Sequence, residues 1–277
     1  MDIIETIDGS VIHHGRHNDR IYLMHLYEAA ETRLIAKLDA MAMANGYGKI
    51  FAKIPATRWK AFKSAGYVRE AVIPGFFKGM TDGLFIAKFF SAERQKATHR
   101  KPADRAEGSS SENHRADGCP PAVDACTPSD TTEMSSIYCR MFESYPFPIH
   151  QPVHLRHMMA NNALYFCIRV GKKIAALAAA EIDPASQTCE MTDFATLPDY
   201  GGRGFAKKLL VHLEGEAHHR GVKTAYTIAR ADSHAMNRTF EKTGYHYAGQ
   251  LINNSQIGGS IRSMTVWYKH LQNIITR

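Results

Sequence analysis

Residues 188–213, TCEMTDFATLPDYGGRGFAKKLLVHL, decide how the chain is read. A strand rich in Thr, Phe and Met runs to Pro198, and the chain then turns through three glycines within four residues, Gly201, Gly202 and Gly204. An amphipathic helix opens at once with Phe205-Ala206-Lys207-Lys208-Leu209-Leu210. Backbone N–H groups in such a loop point into one concavity, and the helix dipole adds partial positive charge there, so the expected guest is a phosphate or pyrophosphate. A glycine-rich turn that binds nothing is the competing reading. Three glycines with Arg203 among them favour the anion site. The spacing excludes two common nucleotide loops, since there is no GxxxxGK[ST] and the glycines do not open a Rossmann βαβ fingerprint.

The segment DYGGRGFAKKLL resembles the acetyl-CoA pyrophosphate loop of the GNAT N-acetyltransferases, Q/R-x-x-G-x-G/A. Gly204 and Ala206 hold the last two specified places, and Gly201 stands where Gln or Arg is usual. That departure puts one side-chain phosphate contact in question and keeps the backbone cradle. Downstream, the stretch from Asn237 through Phe240-Glu241-Lys242 to Gly244-Tyr245 resembles the family's Asn…Tyr-Glu-Lys-x-Gly segment, with Phe in the Tyr place. The resemblance implies acetyl-CoA as co-substrate, held by Gly201, Gly202, Arg203, Gly204, Phe205, Ala206 and Lys207, with Asn237 and Phe240 beside the pantetheine arm. It also implies a bulge in the preceding strand, where Phe194, Ala195 and Thr196 hold the thioester carbonyl and the arm through backbone N–H groups.

A chain of 277 residues, 44% of them hydrophobic, can bury substantial cores and suggests two domains or one large one. Lys and Arg exceed Asp and Glu by 34 to 27; the formal charge of +7 suits an anionic ligand such as coenzyme A and is too modest to demand nucleic acid. Five Cys without CxxC spacing argue against a disulfide framework or a zinc knuckle, and HEXXH is absent, so no metal is expected. The N-terminus lacks an apolar h-region and no run of about 18 apolar residues occurs, so a cytoplasmic protein without a membrane partner is expected. Oligomeric state is left open, a homodimer included.

Strand and helix signals alternate through residues 1–91, with a helix over about 29–45 closed by Gly46. Residues 92–129 change texture, are dense in Ser, Pro and charge, and read as a flexible linker. Residues 130–277 form a second globular part. Leu34-Ile35, Leu38, Ala42 and Gly46 match Leu209-Leu210, Leu213, Ala217 and Gly221 at a constant offset of 175, and Phe51 falls on Tyr226. We infer an internal duplication. The fold class expected is α/β: a mixed, mostly antiparallel GNAT sheet with helices on both faces, preceded by a degenerate GNAT-like half that has Leu26-Tyr27-Glu28-Ala29 in place of the glycine loop.

An amine attacks a thioester only as the free base, while a lysine-like ammonium has a pKa of about 10.4, so a base is needed. Counting back from the loop, Glu190 falls where several family members carry a general base. A regular strand puts it on one face with Thr192 and Phe194, and puts Asp193 on the other. Glu190 and Asp193 are the candidate catalytic carboxylates. The Tyr that commonly protonates the leaving thiolate is replaced by Phe240. The segments HHGRHNDRIYLMHL and GYGKIFAKIP, with the late YHYAGQLINN, resemble the β-lysine N6-acetyltransferase family. That likeness implies acetylation of the distal amine of β-lysine to give an osmolyte, with Asp19, Glu143 or Asp193 for the amines and Arg16 or Arg20 for the carboxylate. A GNAT acting on another small amine or a protein lysine, and a silent acetyl-CoA sensor, remain alternatives.

Overall fold

A computed structural model describes residues 2–27, 31–96 and 121–271. The first half runs β1 (Ile3–Ile7), β2 (Ser10–Gly15), β3 (Arg20–His25), α1 (Glu31–Asn45), β4 (Lys49–Pro55), α2 (Trp59–Ser64), β5 (Val68–Phe77) and β6 (Thr81–Phe89). A short helix, α3 (Ala92–Gln95), follows. The second half runs β7 (Val123–Ala125), α4 (Thr131–Met141), α5 (Pro152–Ala160), β8 (Ala163–Val170), β9 (Lys173–Asp183), β10 (Thr188–Thr196), α6 (Phe205–His219), β11 (Thr224–Arg230), α7 (His234–Lys242), β12 (His246–Ile257) and β13 (Ser260–His270).

The described strands form one sheet in the order β1-β2-β3-β4-β6-β5-β12-β13-β11-β10-β9-β8-β7. Within it β1-β2-β3-β4-β6-β5 repeats the order of β8-β9-β10-β11-β13-β12. In each half only one neighbouring pair is parallel, β3 with β4 and β10 with β11, joined by the helix α1 or α6. The two copies meet edge to edge through β5 and β12.

The helices show why the pattern repeats. On α6, Leu209, Leu210, Leu213 and Ala217 are wholly buried, a helical stripe whose leucines each contribute about 1.5–3 kcal/mol on burial. Leu34, Ile35, Leu38 and Ala42 form the matching stripe on α1. Both helices stop alike: Gly46 and Gly221 take left-handed φ of +66° and +79°, and the next residue's N–H returns to the carbonyl of Ala42 or Ala217.

The tether expected over residues 92–129 is structured at both described ends, and residues 97–120 lie outside the described residues, as do Glu28 and Ala29. Arg94 of α3 is buried, pairing with Asp19 at 2.8 Å and donating to the Asn18 carbonyl at 2.7 Å. At the other end β7 pairs with β8, and Lys208 of α6 donates to the Pro121 carbonyl. Among the described residues no helix is long and apolar enough to cross a membrane.

The seam is narrow. Gly249 of β12 pairs with Ala71 of β5, and a Cβ on Gly249 would lie 2.2 Å from the Glu70 carbonyl oxygen, at a φ of +152°. Lys49, wholly buried on β4, reaches across to both Glu70 oxygens (2.8 and 3.1 Å) and the Ile252 carbonyl (2.8 Å). Gly249→Ala is expected to cost on the order of 2–4 kcal/mol and to lower Tm by several degrees in a thermal melt. An unchanged Tm would show that the seam can open without loss.

Candidate active site

Parallel pairing of β10 with β11 runs from Thr188/Thr224 to Glu190/Tyr226 and goes no further, so the two strands splay apart beyond Glu190. On its other side β10 stays paired to β9, with a bulge between Thr192 and Ala195. Asp193 sits in that bulge with a left-handed φ of +55°. The extra residue breaks the alternation expected of a regular strand. Asp193 turns to the face of Glu190 and Thr192, where the Tyr145 hydroxyl donates to it at 2.7 Å, and Phe194 swings to the α6 face against Phe240, ring centroids 5.9 Å apart.

A cavity of about 720 Å³ fills the splay. One wall is the loop, comprising Gly201, Gly202, Gly204, Phe205, Ala206 and Lys207. Gly202 and Gly204 have φ of +74° and +75°, and a Cβ at either would meet nothing within 4 Å. Gly204 caps α6 without a side chain, and the first intrahelical bond runs from Lys208 N–H to Gly204. The amides of Phe205, Ala206 and Lys207 therefore lack helical partners and face a space open enough for a diphosphate. Phe194, Thr196 and Phe240 line the middle.

The far end is acidic. Glu181 of β9 lies directly opposite Glu190 of β10, and both line the cavity with Asp193. Burial, then the neighbouring Asp193 and Glu190 charges, push Glu181 up to about 8. Burial also raises Asp193, to about 6, against the hydrogen bonds from Tyr145 and Thr192 that hold it down. Glu190 accepts a hydrogen bond from the Tyr226 hydroxyl at 2.9 Å.

The first half closes the cavity with Arg20, Tyr22, Met24 and Phe51. Arg20 donates to the Asn254 carbonyl and, at 2.8 Å, to the Ser255 hydroxyl, and its guanidinium lies 5.3 Å from the Tyr22 ring centroid. Its Nε has no hydrogen-bond partner among the described residues. Burial lowers its pKa to about 10, which leaves it charged at neutral pH.

Residues 131–245 match the Acetyltransferase (GNAT) family. Over 97% of its length the chain is 33% identical to Beta-lysine N(6)-acetyltransferase of Methanococcus maripaludis, covering 99% of that protein. It is 29% identical to the Methanosarcina mazei protein of the same name, over 84% of this chain and 95% of that one. It is 27% identical to N-acetyltransferase YodP of Bacillus subtilis, over 95% and 96%.

The chain belongs to the GNAT acetyltransferase family. It is an acetyl-CoA-dependent N-acetyltransferase.

Several side chains expected at the GNAT site stand elsewhere. Asn237 does not line the cavity: it donates to the Arg230 and Ser233 carbonyls and accepts from Thr265 and Trp267, which uses its full capacity to clamp α7 to β13. Arg203 is exposed and stacks its guanidinium over Tyr200 at 5.2 Å. Ala195 packs into the core on the α4 side of the sheet. Asp19 is outside the cavity, bound to Arg94 and the Gly48 N–H, and Glu143 lies beside the β12–β13 turn at Gly259. Of the proposed acceptor residues, Arg20 and Asp193 reach the GNAT cavity.

Sequence reasoning missed Glu181, Tyr22, Lys53 and Tyr226. Glu181 was within reach: a hairpin turning through 184–187 sets Asp183 opposite Thr188 and so Glu181 opposite Glu190. Tyr226 meets Glu190 through the parallel β10–β11 pairing within the second half, whereas Tyr22 and Lys53 depend on how the halves dock, which no local pattern encodes.

Glu181 has a folded pKa raised above its unfolded value, so the folded state holds its proton through a window where the unfolded state has lost it. Stability from this group is present below about pH 4.5 and is lost as pH rises towards about 8. Glu181→Gln is therefore expected to melt higher than the parent at pH 8–9, by on the order of a few kcal/mol of stability, with the gap closing towards pH 5. Equal melting differences at pH 5 and pH 9 would contradict the assignment.

Proposed function

We propose that the enzyme transfers acetyl from acetyl-CoA to the distal N6 amine of β-lysine, giving a solute with a neutral side chain suited to an osmolyte. The observation that carries this reading is one cavity holding a guanidinium, Arg20, and three carboxylates, Glu181, Glu190 and Asp193. An acceptor with two ammonium groups and one carboxylate matches that set in sign, its ammonium groups against the carboxylates and its carboxylate against Arg20. The full-length likeness to two proteins named for β-lysine acetylation supports the same acceptor.

Residues 130–277 would carry catalysis and residues 1–91, a degenerate copy, would supply acceptor contacts across the 92–129 tether. The amides of Gly202, Gly204 and the first turn of α6 would cradle the diphosphate, and the backbone at Phe194 and Thr196 would aim the arm. Acetyl-CoA supplies the thioester carbon that the amine attacks, the N–C bond forming as the C–S bond breaks. Glu190 takes the proton that the ammonium must lose, directly or through water. Asp193 holds the acceptor's positive charge beside it. Phe240 cannot donate a proton, and a thiol of pKa near 8.5 leaves tolerably as the thiolate.

A thiol-release assay with acetyl-CoA tests this. β-Lysine is expected to turn over faster than L-lysine or a polyamine, and Glu190→Gln to lower kcat/KM at pH 7 by about 10²–10⁴-fold. Arg20→Gln is expected to raise KM about tenfold for β-lysine and to leave a polyamine unaffected, since a polyamine has no carboxylate to lose. Turnover of another amine in place of β-lysine overturns the acceptor, and a full rate in Glu190→Gln overturns the base.

A further inference from the structure

Behind the cavity wall, a chain of three polar side chains crosses between the halves. Lys53 Nζ, from β4, donates to the Tyr226 hydroxyl at 2.9 Å, and that hydroxyl donates to Glu190 Oε2 at 2.9 Å. The ammonium is held between two rings, 5.5 Å from the Tyr22 centroid and 5.3 Å from that of Tyr226. Neither Lys53 nor Tyr226 lines the cavity, so neither is placed to touch an acceptor.

We propose that Lys53 is a positioning residue for acetyl transfer: acting through Tyr226, it fixes the negative charge of the Glu181–Glu190 pair on Glu190 and so makes Glu190 the proton acceptor. The proposal rests on the reading of Glu190 as the base.

Two carboxyl groups directly opposite each other on neighbouring strands cannot both ionise cheaply in a half-buried site, and a single proton between them settles on the group whose anion is less well supported. The groups facing Glu190 are Tyr226 on β11, Lys53 on β4, Tyr22 and Arg20 on β3, Glu181 on β9, and Cys189 and Asp193 on its own strand. Lys53 and Arg20 are the cations among them. Lys53 also faces Glu181, but it is Glu190 that it reaches by a hydrogen-bonded chain, whereas no hydrogen bond reaches the Glu181 side chain among the described residues. Burial pulls the Lys53 pKa down, and the neighbouring Tyr22 and Glu190 more than offset it, so the ammonium keeps its charge across the working range. Its polarising of the Tyr226 O–H strengthens the bond that Glu190 accepts. The proton therefore rests on Glu181, and the free carboxylate stands where the splay opens. A residue of the half that carries no glycine loop thus decides which carboxyl of the pair is the free one.

The test is the pH profile of kcat/KM in the full chain, with thermal melts to confirm folding. Lys53→Met and Tyr226→Phe are expected to move the acid limb up by about one pH unit or more, because Glu190 loses support for its anion. Lys53→Arg, which keeps the charge, is expected to restore a limb within a few tenths of the parent. A merely structural lysine would lower Tm or raise the acetyl-CoA KM and leave the limb where it was. Should Lys53→Met fail to fold, Tyr226→Phe decides alone. An unmoved limb in folded variants, with Glu190→Gln still inactive, overturns this inference and spares the assignment of the base. A full rate in Glu190→Gln overturns both.

Discussion

One strand pairing holds the two halves in a single sheet, and the geometry of the site follows from it. Gly249 lets the β12 backbone press against Ala71, at a separation where any side chain would collide with the Glu70 carbonyl. Lys49 then locks the register by binding Glu70 and the Ile252 carbonyl together, while Glu70 accepts from the Ile252 N–H at 2.7 Å. Burial lowers the Lys49 pKa to about 8, so this contact is an expensive way to gain cohesion and a strict way to gain register. With register fixed at residues 249–252, Asn254 and Ser255 fall under Arg20, and β4 lies where Lys53 can reach Tyr226. A slip of one residue would turn each of these contacts to the opposite face.

Crowded carboxylates are the second constraint. Glu181, Glu190 and Asp193 share one cavity, and two of them have pKa values raised well above the ordinary carboxylate range. Such a site destabilises the fold at neutral pH, which explains why Arg20 and Lys53 are brought in from the other half. The compensation is partial, and under the proposed function a cationic acceptor would complete it. Ligand binding and charge balance are then the same event, and acceptors lacking positive charge would enter at a disadvantage.

Local patterns made the catalytic half legible. The glycines between Pro198 and Phe205, the buried stripe of α6 and the family spacing of the loop are all short-range signals, and the loop lines the cavity as expected. The repeat was legible for the same reason, because Leu34 through Gly46 carries the same helix stripe and stop as Leu209 through Gly221. Asp193 was misread because a bulge is a fault in periodicity, and nothing in TDFAT marks where alternation breaks. The structural part that Asn237 plays was not legible, because its two donors and its acceptor are engaged by residues 230, 233, 265 and 267, a closure visible only in three dimensions. Asp19 fell away likewise, since its partner Arg94 is 75 residues distant.

Duplication set the problem that the sequence then solved by divergence. In the first half Tyr22 pairs with Phe51 where the second half pairs Glu190 with Tyr226, and Tyr22, Phe51 and Glu190 line the same cavity, with Tyr226 behind its wall. The first half carries no glycine loop in its described residues, and its Tyr22, Phe51 and Arg20 make a wall with aromatic surface and one cation. The polar pair kept at Glu190 and Tyr226 would be isolated in a lone domain, with no cation behind it. Joined across the seam, it acquires Lys53, so the copy that lost its own chemistry supplies the charge that the surviving one needs.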